Sequence, residues 1–348
     1  MLRASKETNI YMYTILLQTF LNIVVFYILI KMYNLGIYAL FISNIISNFI
    51  FLLICIFKLK IYKNLEFKKF DRELQKRFLE YGIPMIGVWG IGWILSYCDR
   101  YMIAMFYSSY DVGIYDMSYK IAENSINILI TSFTLAVFPR LISIWNKHGE
   151  QKTISKLEEI LRYYFILIIP AIIGLISISD KLYITILDPS YSIGKNIIII
   201  TSIGMLFNGL CNILNKVWQL NKSTKNIFYI MFFSAVINIL LNILLLPKFG
   251  INVAAYTTLI SYFTGNIVTY ILIRNKFKLR IDYKSILISF ISCIPMSVYI
   301  YSANISNIIE LIIQILIAIV IYIVSSVICG NLKSEVKYII NRRKLNEI

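Results

Sequence analysis

The chain has 348 residues, 59% hydrophobic and only 15% charged, whereas an ordinary soluble domain is roughly half apolar and a quarter charged. Its apolar residues come in runs of about twenty, the length a bilayer core demands, and this excludes a soluble fold. The formal charge of +16 would suggest nucleic acid in a soluble protein, but here the basic residues lie between the apolar runs. They report membrane orientation and give no support for a nucleic-acid partner.

The first residues, Met1 to Asn9, are polar, and no small-residue cleavage site follows, so they do not read as a signal peptide. Ten apolar segments are then predicted, over 10–30, 36–57, 81–107, 112–138, 160–179, 195–219, 226–246, 250–273, 284–302 and 308–328. Each is long enough to cross as a helix, which satisfies its own backbone in lipid. Assigning alternate loops to one side gives that side 25 Lys and Arg against 4 on the other, with 5 inside segments. Such unbroken alternation predicts an all-α polytopic protein of about ten transmembrane helices, with both termini cytoplasmic. Cys55, Cys98, Cys211, Cys293 and Cys329 all lie in or at the ends of apolar segments and form no CxxC pair. Neither a disulfide framework nor a metal site is expected, and no motif calls for a cofactor.

The most polar stretch, 58–80, carries Glu66, Lys68, Lys69, Asp71, Arg72, Glu73, Lys76 and Arg77. It is expected to be an amphipathic cytoplasmic linker lying at the lipid surface. His148, the single histidine, falls in a loop and suggests no role. The chain also repeats itself weakly. At an offset of 216, Lys6, Thr8, Tyr13, Asn22 and Ile23 fall on Lys222, Thr224, Tyr229, Asn238 and Ile239. After a slip of two, Gly36, Ile37, Ser47 and Phe49 fall on Gly250, Ile251, Ser261 and Phe263. This predicts a parallel repeat six helices long, with its axis along the membrane normal.

No P-loop, HExxH or GxSxG motif occurs, and no loop has room for a glycosyltransferase domain, so an enzyme is not expected. Ionisable residues inside spans are costly and therefore mark candidate sites. The third segment carries Asp99 and Arg100, the fourth Asp116, Lys120 and Glu123. At 1.5 Å per residue, Asp99 lies about 25 Å along its helix, and Lys120 and Glu123 about 10 and 15 Å along theirs from the opposite face. The two groups therefore meet in the outer half of the membrane. Arg100 and Lys120 could receive a phosphate or diphosphate, with Asp99, Asp116 and Glu123 tuning them. The alternative is an Asp99–Lys120 or Arg100–Glu123 bridge that locks a helical hairpin. Lys216, Arg162 and Lys284 lie near the cytoplasmic face, where snorkelling accounts for them. Gly82, Gly87, Gly90 and Gly92 on the third segment suit close helix packing, and Pro84 and Pro170 are expected to kink their helices.

Gly82-Ile83-Pro84, Trp89 and Trp93, Asp99-Arg100, Val112 to Tyr115, Tyr119 to Ile121 and Pro139 follow one another over about sixty residues. In this order the sequence resembles the O-antigen and polysaccharide flippases of the multidrug/oligosaccharidyl-lipid/polysaccharide exporter superfamily. The resemblance implies two six-helix lobes around a central cavity, alternating access, and an undecaprenyl-diphosphate-linked oligosaccharide as substrate. It also implies membrane lipids as partners, with polysaccharide polymerase and glycosyltransferases acting in the same pathway. Arg100 and Lys120 inherit, by position, the role of meeting the diphosphate. Family members have twelve to fourteen helices, and residues 2–11 resemble the junction before their fifth. The expected organisation is therefore 1–60 as the last two helices of an incomplete lobe, 61–80 as the linker, 81–274 as a complete six-helix lobe, and 275–348 as two accessory helices and a basic tail. Four helices are expected ahead of Met1, with Gln18 and Asn22 facing lipid or an open groove and the chain alone unable to flip. Rival readings are a multidrug exporter of the same superfamily and a membrane oligosaccharide polymerase or ligase.

Overall fold

A computed structural model describes residues 8–58, 72–185 and 189–333. The predicted tail beyond 333 and most of the predicted linker, 59–71, lie outside the described residues. Among the described residues no strand occurs, and the α-helices run in order. They are α1 (Thr8–Tyr33), α2 (Tyr38–Lys58), α3 (Arg72–Phe106), α4 (Ser109–Thr185), α5 (Lys195–Leu220), α6 (Thr224–Phe249), α7 (Asn252–Phe277), α8 (Tyr283–Ser302) and α9 (Ile308–Ile328). Eight of them are long and apolar enough to cross a membrane. The fourth and fifth predicted segments both fall in α4, whose 77 residues bend at Gly149, a glycine at φ 74° that a side chain would strain. The eighth segment is α7, long enough to span but less apolar than the rest. Residues 72–80, placed in the linker by composition, form the opening turns of α3, because nothing between Arg72 and Phe106 breaks the helix beyond its internal Pro84.

The helices divide into two compact units, Met1–Lys76 and Arg77–Ile348. In the first, α1 and α2 form a hairpin turned by Asn34 (φ 51°) and Gly36 (φ 50°). Most of its large apolar side chains are exposed, as a lipid-facing surface would be. Gln18 and Asn22, expected to face lipid or an open groove, find partners within the hairpin. Gln18 donates to Asn48 at 2.8 Å and Asn22 to Asn44 at 3.0 Å. In the second unit, α6 and α7 form a like hairpin turned by Gly250 (φ 83°), in which Asn238 donates to Thr258 at 3.0 Å. The self-match of the sequence pairs Asn22 with Asn238 and, after the slip, Asn44 with Thr258. The repeat thus extends to a shared interhelical hydrogen bond.

The core of the second unit lies along the second arm of α4 and α5, around Tyr164, Ile168, Ile169, Met205, Ile213 and Leu214. The Tyr164 hydroxyl donates to the Leu206 carbonyl at 2.7 Å. A Cβ at Gly209 would lie 2.3 Å from that hydroxyl and 2.9 Å from Ile130, so the close approach of α4 and α5 requires glycine. Of the α3 glycines, Gly87 packs under Phe228 and Gly92 against Met231, while Gly82 and Gly90 face open space. The last two helices share this core through Cys293, Met296, Leu311 and Tyr322. Three tethers bind them to α4. Tyr322 donates to the Ile166 carbonyl and Arg162 to that of Asn331, both at 2.7 Å. Lys181 donates to the carbonyls of Ile300 and Ala303, a cation at a helix C-terminus. Arg162, expected only to snorkel, is thus a structural clasp.

Asp282 caps α8, accepting from the Ser285 backbone at 3.2 Å and hydroxyl at 2.6 Å. The Ser285 hydroxyl holds its carboxyl below the ordinary aspartate range. A depressed carboxylate contributes stability that is present above its unfolded value and lost as pH falls through the folded one. Asp282→Ala should therefore cost about 1 kcal/mol at neutral pH, as helix caps do. In melts followed by tryptophan fluorescence, the difference from the parent should shrink as pH falls through the lowered folded value of Asp282. A gap that stays the same from neutral to strongly acid pH would exclude the carboxylate as its source.

Candidate functional site

The second half of α3 lies beside the start of α4, and three of the predicted ionisable residues meet there. Arg100 Nε donates to Asp116 Oδ1 at 3.0 Å, and Lys120 Nζ reaches Asp116 Oδ2 at 2.6 Å. Asp116 and Lys120 stand four residues apart, so they share a face of α4. The Arg100 side chain is 10% exposed and that of Lys120 49%, which makes the guanidinium the inner cation and the ammonium the outer one. Tyrosine rings surround the guanidinium, with centroids at 4.2 Å for Tyr119, 5.4 Å for Tyr115 and 5.5 Å for Tyr97. It also donates to the Ser96 carbonyl. These contacts fix its plane, which point charges alone would not. Glu123, one turn further along α4, is half-buried and joins neither pair.

The two bridges considered from sequence do not form. Asp99 does not reach Lys120, nor Arg100 Glu123, because Asp116 takes both cations. Adjacent residues on a helix point about 100° apart, and Asp99 accordingly turns away from Arg100 into the bundle. There it is fully buried. Its Oδ2 accepts from the hydroxyls of Tyr115 and Thr258, both at 2.7 Å, and its Oδ1 from the Asn242 amide at 2.8 Å. Thr257 in turn donates to Asn242 at 2.8 Å. Four helices (α3, α4, α6 and α7) thus converge on one carboxylate that forms no ion pair among the described residues. A buried carboxylate without a cation is costly. A proton, or a small cation drawn to the carboxylate, would relieve that cost.

A second feature begins one to two turns beyond Lys120 on α4. An apolar groove of about 510 Å³ runs between both arms of α4 and the helices α8 and α9. Leu129, Leu167, Gly174, Met296, Ile319 and Ile323 are among its walls.

The profile of the lipid II flippase MurJ family matches residues 1–337. The chain belongs to that family. That family is one of transporters, and it agrees with the superfamily that the motif on α3 and α4 resembles. The MurJ-family chain is 33% identical over 203 residues to an uncharacterized membrane protein of Methanocaldococcus jannaschii, covering 56% of the chain and 38% of that protein. It is 24% identical over 179 residues to a probable low-salt glycan biosynthesis flippase, Agl15, of Haloferax volcanii, covering 51% and 37%. A solved lipid II flippase MurJ in an inward closed conformation shares its fold. The TM-score is 0.68 at 19% identity, over 89% of this chain and 65% of that one. The chain therefore spans under two fifths of these curated relatives and just under two thirds of the solved flippase.

The polar cage of Asp99 in this MurJ-family chain is not apparent from a search for charge. Asn238, Asn242, Thr257 and Thr258 are neutral, and threonine is ordinary in membrane helices. The available signal was two asparagines four residues apart in an otherwise apolar helix, which share one face and are expensive there without partners.

Proposed function

We propose that this chain takes part in moving a polyprenyl-diphosphate-linked oligosaccharide from the cytoplasmic to the outer leaflet of the cytoplasmic membrane, both termini being cytoplasmic. The glycan is a polysaccharide repeat unit, of O-antigen or capsule type, made and later polymerised by enzymes of the same pathway. The observation that carries this reading is the pair of cations, Arg100 and Lys120, held by one shared carboxylate. A diphosphate presents several charged oxygens and can replace Asp116 on both cations at once, with the guanidinium binding in a plane and the ammonium as a point charge. The apolar groove further along α4 offers a surface for the prenyl chain. The names of the relatives, a lipid II flippase and a glycan biosynthesis flippase, support a lipid-linked sugar as the class of cargo. Asp99 supplies the coupling element in this reading. A proton or a monovalent cation entering its cage changes the charge that α3 presents between α4, α6 and α7, and so biases how those helices pack.

Equilibrium binding to the full chain in lipid nanodiscs separates this from a drug exporter. Radiolabelled undecaprenyl-diphosphate disaccharide should bind, and be displaced by undecaprenyl diphosphate but not by tetraphenylphosphonium. Displacement by the lipophilic cation alone would favour the small-molecule exporter.

A further inference from the structure

Four aromatic residues on α3 stand one every four positions: Trp89, Trp93, Tyr97 and Tyr101. They are 77%, 55%, 43% and 60% exposed. Trp93 lies 5.4 Å from Tyr97 and 6.5 Å from Tyr101, ring centre to ring centre. The opposite face of the same helix carries Ile91, Leu95 and Asp99 and packs inward. The aromatic stripe is therefore a separate, outward surface.

An interfacial belt does not account for it. Twelve residues of helix rise about 18 Å, most of the roughly 30 Å hydrocarbon thickness, whereas belt aromatics cluster at headgroup level. A lipid-facing wall does not account for it either. Tyr97 and Tyr101 form no hydrogen bond among the described residues, and two hydroxyls turned into hydrocarbon would each be left unsatisfied. Arg100 borders the stripe on the same side of the helix, with its guanidinium over the Tyr97 ring. The half-exposed Lys120 pairs with the same Asp116 that Arg100 holds. Rings that border charged groups, with hydroxyls needing water or another polar partner, face an aqueous path.

Resting on the diphosphate reading above, we infer that this stripe is a carbohydrate platform. The sugar rings of the lipid-linked glycan stack by their C–H faces on Trp93 and Tyr97, and then on the neighbours at either end, while the diphosphate sits at Arg100. Sugars suit such a surface because one face of a pyranose is apolar and its rim is hydroxylated, which matches rings flanked by tyrosine hydroxyls. Each step along the stripe offers a similar ring. A glycan could therefore slide along it without a single deep minimum, as a carrier requires.

The test uses the full chain in nanodiscs with Trp145→Phe and Trp218→Phe, which leaves Trp89 and Trp93 as the fluorescent reporters. The probes are farnesyl diphosphate and farnesyl-diphosphate-linked chitobiose. The sugar-bearing probe should bind about 10-fold more tightly and change the tryptophan emission. Trp93→Leu with Tyr101→Leu, which spares the Tyr97 ring beside Arg100, should remove most of that increment and leave farnesyl diphosphate affinity in place. Trp93→Phe with Tyr101→Phe, which keeps the rings, should retain most of it and so control for misfolding. Equal affinity of the two probes for the parent overturns the platform while the diphosphate reading stands. Binding of neither overturns both. Iodide should quench the tryptophans, and quenching by brominated lipid in its place would make the stripe a lipid-facing wall and reject the inference.

Discussion

Replacing Arg100 by Gln should weaken binding of a polyprenyl-diphosphate glycan about 10- to 100-fold, the worth of losing charge-assisted hydrogen bonds of roughly 1.5–3 kcal/mol. Lys120→Gln should cost less, about 3- to 10-fold, because its ammonium is half-exposed and screened. Asp116→Asn supplies the contrary sign. Asp116 is the internal competitor for the anion, so neutralising it frees both cations, and diphosphate binding should tighten several-fold while transport slows at release. A purely structural ion-pair cluster predicts otherwise. There all three substitutions would lower thermal stability, and any loss of binding would follow the melting temperature. Titration of the three variants in nanodiscs, with melts on the same samples, decides the matter. Weaker binding by Asp116→Asn would sink the anion-site reading.

Asp99→Ala should be among the most destabilising single changes in the chain. It removes the acceptor for Tyr115, Asn242 and Thr258 at once. Interhelical hydrogen bonds in membranes average only about 0.6 kcal/mol, because the unfolded chain in lipid finds other partners. Three of them, with the donors left stranded in a fully buried cage, amount to about 2–4 kcal/mol. Asp99→Asn separates packing from coupling. Its carbonyl can still accept from the two hydroxyls, and a turned Asn242 amide can accept in place of donating, so stability should fall by about 1 kcal/mol or less. The charge, however, is gone. Any dependence of substrate binding on pH or sodium should disappear with it, and a dependence that survives Asp99→Asn would place the coupling group elsewhere.

The helices were legible because hydrocarbon imposes a length, and runs of twenty apolar residues have no other common explanation. The continuity of α4 was not. Residues 139–156 are charged and read as a loop, yet within them only Gly149 leaves helical geometry. Arg100, Asp116 and Lys120 could be picked out because charges in spans are rare. Their pairing was expected as Asp99–Lys120 or Arg100–Glu123, although the spacing of four between Asp116 and Lys120, which does pair, was equally visible. Nothing in a single sequence pointed Asn242 and Thr258 at Asp99, since those contacts join residues 143 and 159 positions apart.

The tethers on the second arm of α4 bear on how the protein is made. Arg162 finds its carbonyl at Asn331, 169 residues later, Ile166 is met by Tyr322 after 156, and Lys181 waits for Ile300, 119 on. At roughly 5–20 residues per second of synthesis, these groups stand without those partners for about 6–35 s. During that interval an arginine, a lysine and an uncovered apolar wall sit in the nascent bundle together. A ribosome stalled before residue 331 would leave Arg162 without its clasp, and such intermediates should be recognised by membrane quality control. Shielding by an insertase or a membrane chaperone, and the speed at which the codons for residues 283–331 are read, would then govern yield as much as the final stability does.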